Sequence, residues 1–167
     1  MERIDLVSLL PKDAVGVELG VARGVFSHAL LSTGRFRLLF SIDKWAGDRG
    51  HNDEEYQDAY ALLSQFKESI VLRYTFESVV GCFRDRSLDV VYVDGYAHTG
   101  QDQGKTLTQW LPKLKRGGLL AGHDYSEQWP LTVKAVNDFV QRNGFTLHVT
   151  DETEEGNVYR SWYVNID

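Results

Sequence analysis

Ala14-Val15-Gly16-Val17-Glu18-Leu19-Gly20-Val21-Ala22-Arg23-Gly24 decides how this chain is read. Its first half is a short apolar run with alternating β-branched residues, the pattern of a buried strand. Its second half is a turn with glycines at positions 20 and 24. Val25-Phe26-Ser27-His28-Ala29-Leu30-Leu31 then resumes with helical spacing. Strand, glycine turn and helix open a nucleotide-binding α/β sheet, because glycine adopts backbone angles that other residues resist and lets a ligand approach the main chain. An ordinary glycine turn joining a strand to a helix is the plainer alternative.

The spacing is Gly20-x-x-x-Gly24 and not Gly-x-Gly-x-x-Gly, and Glu18 stands two residues before the first glycine. An acid at that place suits a ligand carrying positive charge and suits a pyrophosphate poorly. This argues against a nicotinamide-dependent reductase, a rival enzyme on the same scaffold.

Outward from this stretch, residues 4–10 read as a short helix closed by Pro11. The first strand covers 14–19, and its helix covers 24–33 and stops at Gly34. Residues 35–42 are a second strand with Asp43 at its tip. An acid there either accepts hydrogen bonds from both ribose hydroxyls of a nucleoside or serves as a cap or turn residue. Residues 44–55 are polar and loop-like, long enough for a lid or a substrate rim, with Trp45 either against an adenine or anchoring the loop. A helix opens at Asp53-Glu54-Glu55 and runs to about 66, its acids favoured by the helix dipole.

Residues 69–74 are a third strand, followed by Thr75-Phe76-Glu77-Ser78. Leu88-Asp89-Val90-Val91-Tyr92-Val93-Asp94-Gly95 is the strongest strand, as apolar as a central parallel strand requires. It delivers Asp94 and His98 to the edge where doubly wound sheets bind ligands. A helix over 102–115 carries Leu107, Trp110, Leu111 and Leu114 at core spacing, with Pro112 interrupting it and Arg116-Gly117-Gly118 stopping it. Residues 119–125 form a fifth strand bringing His123 and Asp124 to the same edge as Asp94. A helix ends at Asn143-Gly144, and strands at 145–149 and 158–164 flank an acidic loop at 151–156.

The chain has 167 residues, 43% apolar and 25% charged, and reads as one domain over 1–167. Its net charge of -6 and lack of a basic stripe disfavour nucleic acid and an anionic membrane surface as partners. Cys82 is the single cysteine, so neither an intrachain disulfide nor a cysteine-rich zinc site is expected. The opening residues lack the basic start and apolar core of a signal peptide, and no run is long enough to span a bilayer; a cytoplasmic protein is the expectation.

Glu18-Leu19-Gly20-Val21-Ala22-Arg23-Gly24 resembles the first motif of class I S-adenosylmethionine-dependent methyltransferases, with Ala22 where many members have glycine. Val93-Asp94-Gly95-Tyr96-Ala97-His98 followed by Gly117-Gly118-Leu119-Leu120-Ala121-Gly122-His123-Asp124 is similar to the small-molecule O-methyltransferase branch, of the catechol and macrolide-sugar kind. The resemblance implies a doubly wound, Rossmann-like α/β sandwich: a mostly parallel seven-stranded sheet of order 3-2-1-4-5-7-6, the last strand antiparallel. It implies a cofactor site on Glu18, Gly20, Ala22, Gly24, Asp43, Lys44, Phe76, Glu77, Ser78 and Asp94. For 75–78 the local alternative is a helix N-cap at Thr75 or Ser78.

In metal-dependent members the acids ending strands four and five bind a divalent cation, here Asp94 and Asp124, with magnesium the expected ion. The alternative is that both acids hold the methionine end of the cofactor without an ion. His98 and Asp94 are the catalytic candidates, His98 as general base for a small-molecule acceptor hydroxyl of a sugar or polyol. His98 and His123 equally suit ordinary hydrogen-bonded structural roles. The chain departs from the branch in having His123 and Tyr125 beside Asp124, and Ala97 between the first aspartate and the histidine. Its N-terminal cap is also short, which leaves a second copy of the chain to complete the pocket. A non-catalytic nucleoside-binding or protein-interaction module on the same fold is the remaining alternative.

Overall fold

A computed structural model describes residues 1–46, 49–151 and 159–167. A 3-10 helix at Arg3–Leu9 precedes β1 (Ala14–Leu19), α1 (Val25–Ser32), β2 (Phe36–Asp43), α2 (Asp53–Leu63) and β3 (Ser69–Arg73). Then follow α3 (Phe76–Val79), β4 (Leu88–Val93), α4 (Gly100–Gln103), α5 (Lys105–Trp110), β5 (Leu114–Gly122), α6 (Pro130–Asn143), β6 (His148–Val149) and β7 (Trp162–Asn165). The sheet order is β3-β2-β1-β4-β5-β7-β6, as the resemblance implied. β1 through β5 pair in parallel, and β7 runs antiparallel to both β5 and β6.

Strand alternation sorts side chains into two cores. Val91 and Val93 of β4 join Val17, Leu19, Trp110, Val136 and Phe139 on one face. Val90 and Tyr92 join Leu6, Leu10, Phe26, Leu30 and Trp45 on the other. All six residues of β1 and all six of β4 are buried, as central parallel strands covered on both faces should be. The 3-10 helix lays Leu6 and Leu10 on the second core, which brings its start to the edge of the sheet.

Several elements differ from the sequence expectation. The helix expected over 102–115 is limited to α5, and Pro112 lies in a 3-10 turn at Leu111–Lys113. β5 begins at Leu114, and Gly117-Gly118 form an irregularity within it: Leu88 pairs with Leu114 but Val90 with Leu119. Two glycines that read as a stop signal thus let a strand buckle and continue. Between β4 and α5, Gly100 to Gly104 take φ of 64, 51, 53, 56 and 79, making α4 a left-handed turn. The strand expected from 145 is short, and the acidic loop and the start of the last expected strand at Val158 lie outside the described residues, Asp151 apart. Among the described residues no helix is long and apolar enough to cross a membrane.

Candidate active site

β1 lies between β2 and β4, so successive connections leave it in opposite directions and a crevice opens at the carboxyl ends of these strands. The crevice is a cleft of about 510 Å³. Glu18, Gly20, Ala22, Asp43, Lys44, Phe76, Asp94, His98 and Asp124 all line it, so most of the residues singled out in the sequence converge on one place.

The floor is the glycine turn. Gly20 takes φ +94, and a Cβ there would sit 2.5 Å from the carbonyl oxygen of Asp94; only glycine lets the turn run against the end of β4. Ala22 holds φ +47, a conformation that glycine reaches more readily. Asp43 fixes the turn from the side. Its Oδ2 accepts the backbone N–H of Val21 at 2.9 Å and of Ala22 at 3.2 Å, and its Oδ1 accepts that of Trp45 at 3.1 Å. Trp45 is buried, and its Nε1 donates to the Ala22 carbonyl at 2.8 Å, so it anchors the loop. Gly24 caps α1 and backs onto Ala59 of α2, outside the cleft wall.

Glu18 is almost fully buried beneath this floor. Ser27 Oγ donates to its carboxylate, and Ser27 shares a second hydrogen bond with Ser41. Burial outweighs the Ser27 contact and pushes Glu18 up to about 8, with the nearby Asp94 charge adding to the rise.

The cleft has two distinct ends. At one, Phe76 packs its ring 4.7 Å from that of Tyr96, and a Cβ on Gly95 would meet the Phe76 ring at 2.7 Å. Burial raises the Tyr96 hydroxyl pKa, and the charges of Glu77, Lys44 and Asp43 act on it. Glu77 and Ser78, also singled out for the cofactor, stand apart from the other residues of this loop. Both are exposed and off the cleft wall, and Ser78 donates through its N–H to Thr75 Oγ1 and through its hydroxyl to the Thr75 carbonyl. The helix-cap alternative is the one the fold adopts.

At the other end stand Asp94 and Asp124, with His123 buried beside them and off the cleft wall. His123 Nδ1 lies 3.1 Å from Asp124 Oδ1 and 3.5 Å from Asp94 Oδ1. Burial pushes Asp94 up to about 6 against the pull of the His123 and Arg3 charges. His123 loses charge to burial but gains more from its hydrogen bond to Asp124 and the two carboxylates, and its pKa is raised. One donor atom from each of the three lies within 4.8 Å of the others, and two carboxylates with an imidazole are a chemically suitable set for a divalent cation. Asp124 holds φ +62, a strained conformation of the kind that gathers at functional sites.

His98 sits in a 3-10 turn, Ala97–Thr99, half-buried on the cleft wall. Its turn is tied down by Thr132, whose hydroxyl donates to the Ala97 carbonyl at 3.1 Å and accepts from Gln101 Nε2 at 3.2 Å. Sequence reasoning missed Arg3, Tyr96, Arg49 and Trp129 on the wall. Tyr96, two residues past Asp94 and just beyond the strongest strand, was available to find; the others depend on loops and a terminal turn folding back. Arg49 stacks over Trp129 at 5.9 Å, joining the loops after β2 and β5 at the rim.

A protein of Sinorhizobium fredii (strain NBRC 101917 / NGR234), named uncharacterized protein y4gI, is 28% identical over 114 residues, covering 66% of this chain and 12% of its own length. The chain thus spans a small part of that relative. Two solved structures share the fold. An rRNA methylase from Streptococcus thermophilus has a TM-score of 0.71 at 16% identity, with 96% of this chain and 91% of that one covered. A Streptococcus mutans protein in complex with SAH has a TM-score of 0.69 at 15% identity, with 95% and 92% covered. A family model described as a methyltransferase domain matches residues 17–125, from the middle of β1 to just beyond β5. That span holds the glycine turn, the tip of β2 and both acids at the ends of β4 and β5, and the chain belongs to the methyltransferase domain family.

Proposed function

We propose that the cleft binds S-adenosylmethionine and that the protein transfers its methyl group to a hydroxyl of a small molecule, a sugar or polyol. The observation that carries this reading is the convergence of Asp43, the Gly20 turn, His98 and Asp94 on one cleft at the switch point of the sheet. The SAH complex of a protein with this fold supports the cofactor.

On this reading the ribose hydroxyls donate to Asp43, whose oxygens already orient the turn beneath them. The adenine lies toward Phe76 and Tyr96, beside Lys44. The methionine tail runs to Glu18 and Asp94. Methyl transfer is an in-line displacement: the sulfur–methyl bond breaks as the oxygen–methyl bond forms, and the acceptor proton passes to His98. Alignment and exclusion of water supply most of the acceleration. Asp94, Asp124 and His123 would hold a divalent cation, magnesium or a softer ion that accepts imidazole; such an ion supplies Lewis-acid polarisation of the acceptor oxygen.

One observation favours a second acceptor class. An rRNA methylase has the same fold, so RNA stands beside the small molecule, against a net charge of -6. Calorimetric titration with S-adenosylmethionine on chelator-treated protein, with and without magnesium, tests the cofactor and metal. Transfer of labelled methyl to sugars, polyols and rRNA fragments tests the acceptor. Micromolar cofactor binding with label on a sugar or polyol is the expected result. A folded protein that ignores S-adenosylmethionine overturns the reading, and label on RNA alone replaces the acceptor.

A further inference from the structure

S-adenosylmethionine ends in a zwitterion, an ammonium and a carboxylate on one carbon. The end of the cleft that receives it is acidic: Glu18, Asp94 and Asp124 all line it. Acids suit the ammonium and the sulfonium, but they repel the carboxylate, which needs a cation of its own among them.

The structure assigns that task to Arg3: we propose that its guanidinium, carried on the 3-10 helix, binds the α-carboxylate of the methionine tail. The inference rests on the cofactor reading above and adds a residue to it. Three observations converge. Arg3 lines the cleft and reaches its acidic end, with Nη1 3.7 Å from Asp94 Oδ2. Its guanidinium carbon lies 4.3 Å from the centre of the Phe26 ring, so the planar fork is held in place by stacking before any ligand arrives. Phe26 belongs to the first turn of α1, which starts at Val25 with no side chain capping it, and Val25 and Phe26 are both on the cleft wall. The free N–H groups of that turn add a favourable field for an anion beside the same guanidinium.

The charges therefore alternate along the tail: Asp94 and Glu18 face the ammonium, and Arg3 faces the carboxylate. Leu6 and Leu10, buried against the second core, set the depth of Arg3 in the cleft.

Decarboxylated S-adenosylmethionine keeps the ammonium and sulfonium and lacks only the carboxylate. Calorimetric titration of the unaltered protein, Arg3→Met and Arg3→Lys with both compounds tests the assignment, with thermal melts checking that each variant folds. The expected result is a loss of about 10- to 100-fold in S-adenosylmethionine affinity for Arg3→Met, as for a charge-assisted hydrogen bond. Arg3→Lys should recover part of it. Affinity for the decarboxylated compound should stay the same or improve in Arg3→Met, because a positive charge has been removed from beside a cationic ligand. Equal weakening toward both compounds, or no weakening toward either, overturns the assignment of Arg3 alone. Failure of the unaltered protein to bind either compound overturns the cofactor reading with it.

Discussion

Asp43 Oδ2 accepts the backbone N–H of Val21 at 2.9 Å, so the tip of β2 clamps the turn that follows β1. The same carboxylate also accepts from Ala22 and Trp45, which makes it the joint between the glycine turn and the loop that follows β2. One side chain thus shapes the floor of the cleft and faces into it.

Asp43→Ala should cost both stability and ligand binding. Losing the carboxylate leaves N–H groups in a buried turn unpaired, a penalty of about 2–4 kcal/mol in total. Urea melts should report it, and calorimetry should show S-adenosylmethionine affinity falling at least about tenfold, as for loss of a charged hydrogen-bond partner. A destabilised variant that keeps its affinity would remove the ribose role and leave the structural one.

Glu18 predicts a pH dependence of the ligand-free protein. Its pKa is pushed from 4.5 to about 8 by burial. Below 4.5 the carboxyl is protonated whether the chain is folded or not. Between 4.5 and 8 only the unfolded chain has released the proton, so folded stability falls as pH rises, and the loss levels off above 8. Asp94, pushed to about 6, adds a like decline lower in the range. Melting temperatures between pH 6.5 and 8 should therefore fall more steeply for the natural protein than for Glu18→Gln, which keeps an acceptor for Ser27 and in which the raised His123 still contributes a decline from 6.5 upward. Equal slopes in the two proteins would show that Glu18 is not the titrating group.

A cationic ligand stabilises ionised Glu18, so the proton should leave as the ligand enters. S-adenosylmethionine affinity should rise with pH toward 8, with proton uptake by buffer visible as a binding heat that depends on the buffer's ionisation enthalpy. The Glu18→Gln variant should lose that dependence.

His98 faces the cleft from a turn held by Thr132, so its removal should leave the floor and the Asp43 clamp undisturbed. His98→Ala should bind S-adenosylmethionine within about twofold of the natural protein and turn over about 100-fold or more slowly, the scale of a lost general base. Unaltered turnover on the acceptor that the natural protein methylates would return His98 to a structural role.

Chelation tests the cluster at the ends of β4 and β5. Exhaustive treatment with a chelator should slow turnover, and magnesium or manganese should restore it. Asp124→Asn should resist that rescue, because it removes one of the two carboxylates that approach His123. Turnover indifferent to chelator would leave Asp94 and Asp124 as shapers of the methionine end.

From its own pattern the sequence determined alternating strands and helices and a working edge, while the order of the strands came with the family resemblance. Hydrophobic runs of strand length, each closed by glycine or acid, carry their own signal, because burial on both faces demands uninterrupted apolar residues. Glu18, Gly20, Asp43, Asp94 and Asp124 were legible for the same reason: each stands at the end of such a run, and strand ends point to one edge. The helix expected over 102–115 failed because apolar spacing does not register a left-handed turn at 100–104 or a glycine buckle inside β5. Tertiary structure alone decided the protonation of Glu18, since burial depends on what the rest of the chain covers. It alone decided that Trp45 anchors a loop, that Thr75 caps a helix by accepting the Ser78 N–H, and that Arg3 reaches Asp94 from the far end of the sequence. Those contacts join residues with no pattern between them, and only the packing of a terminal turn and three loops brings them together.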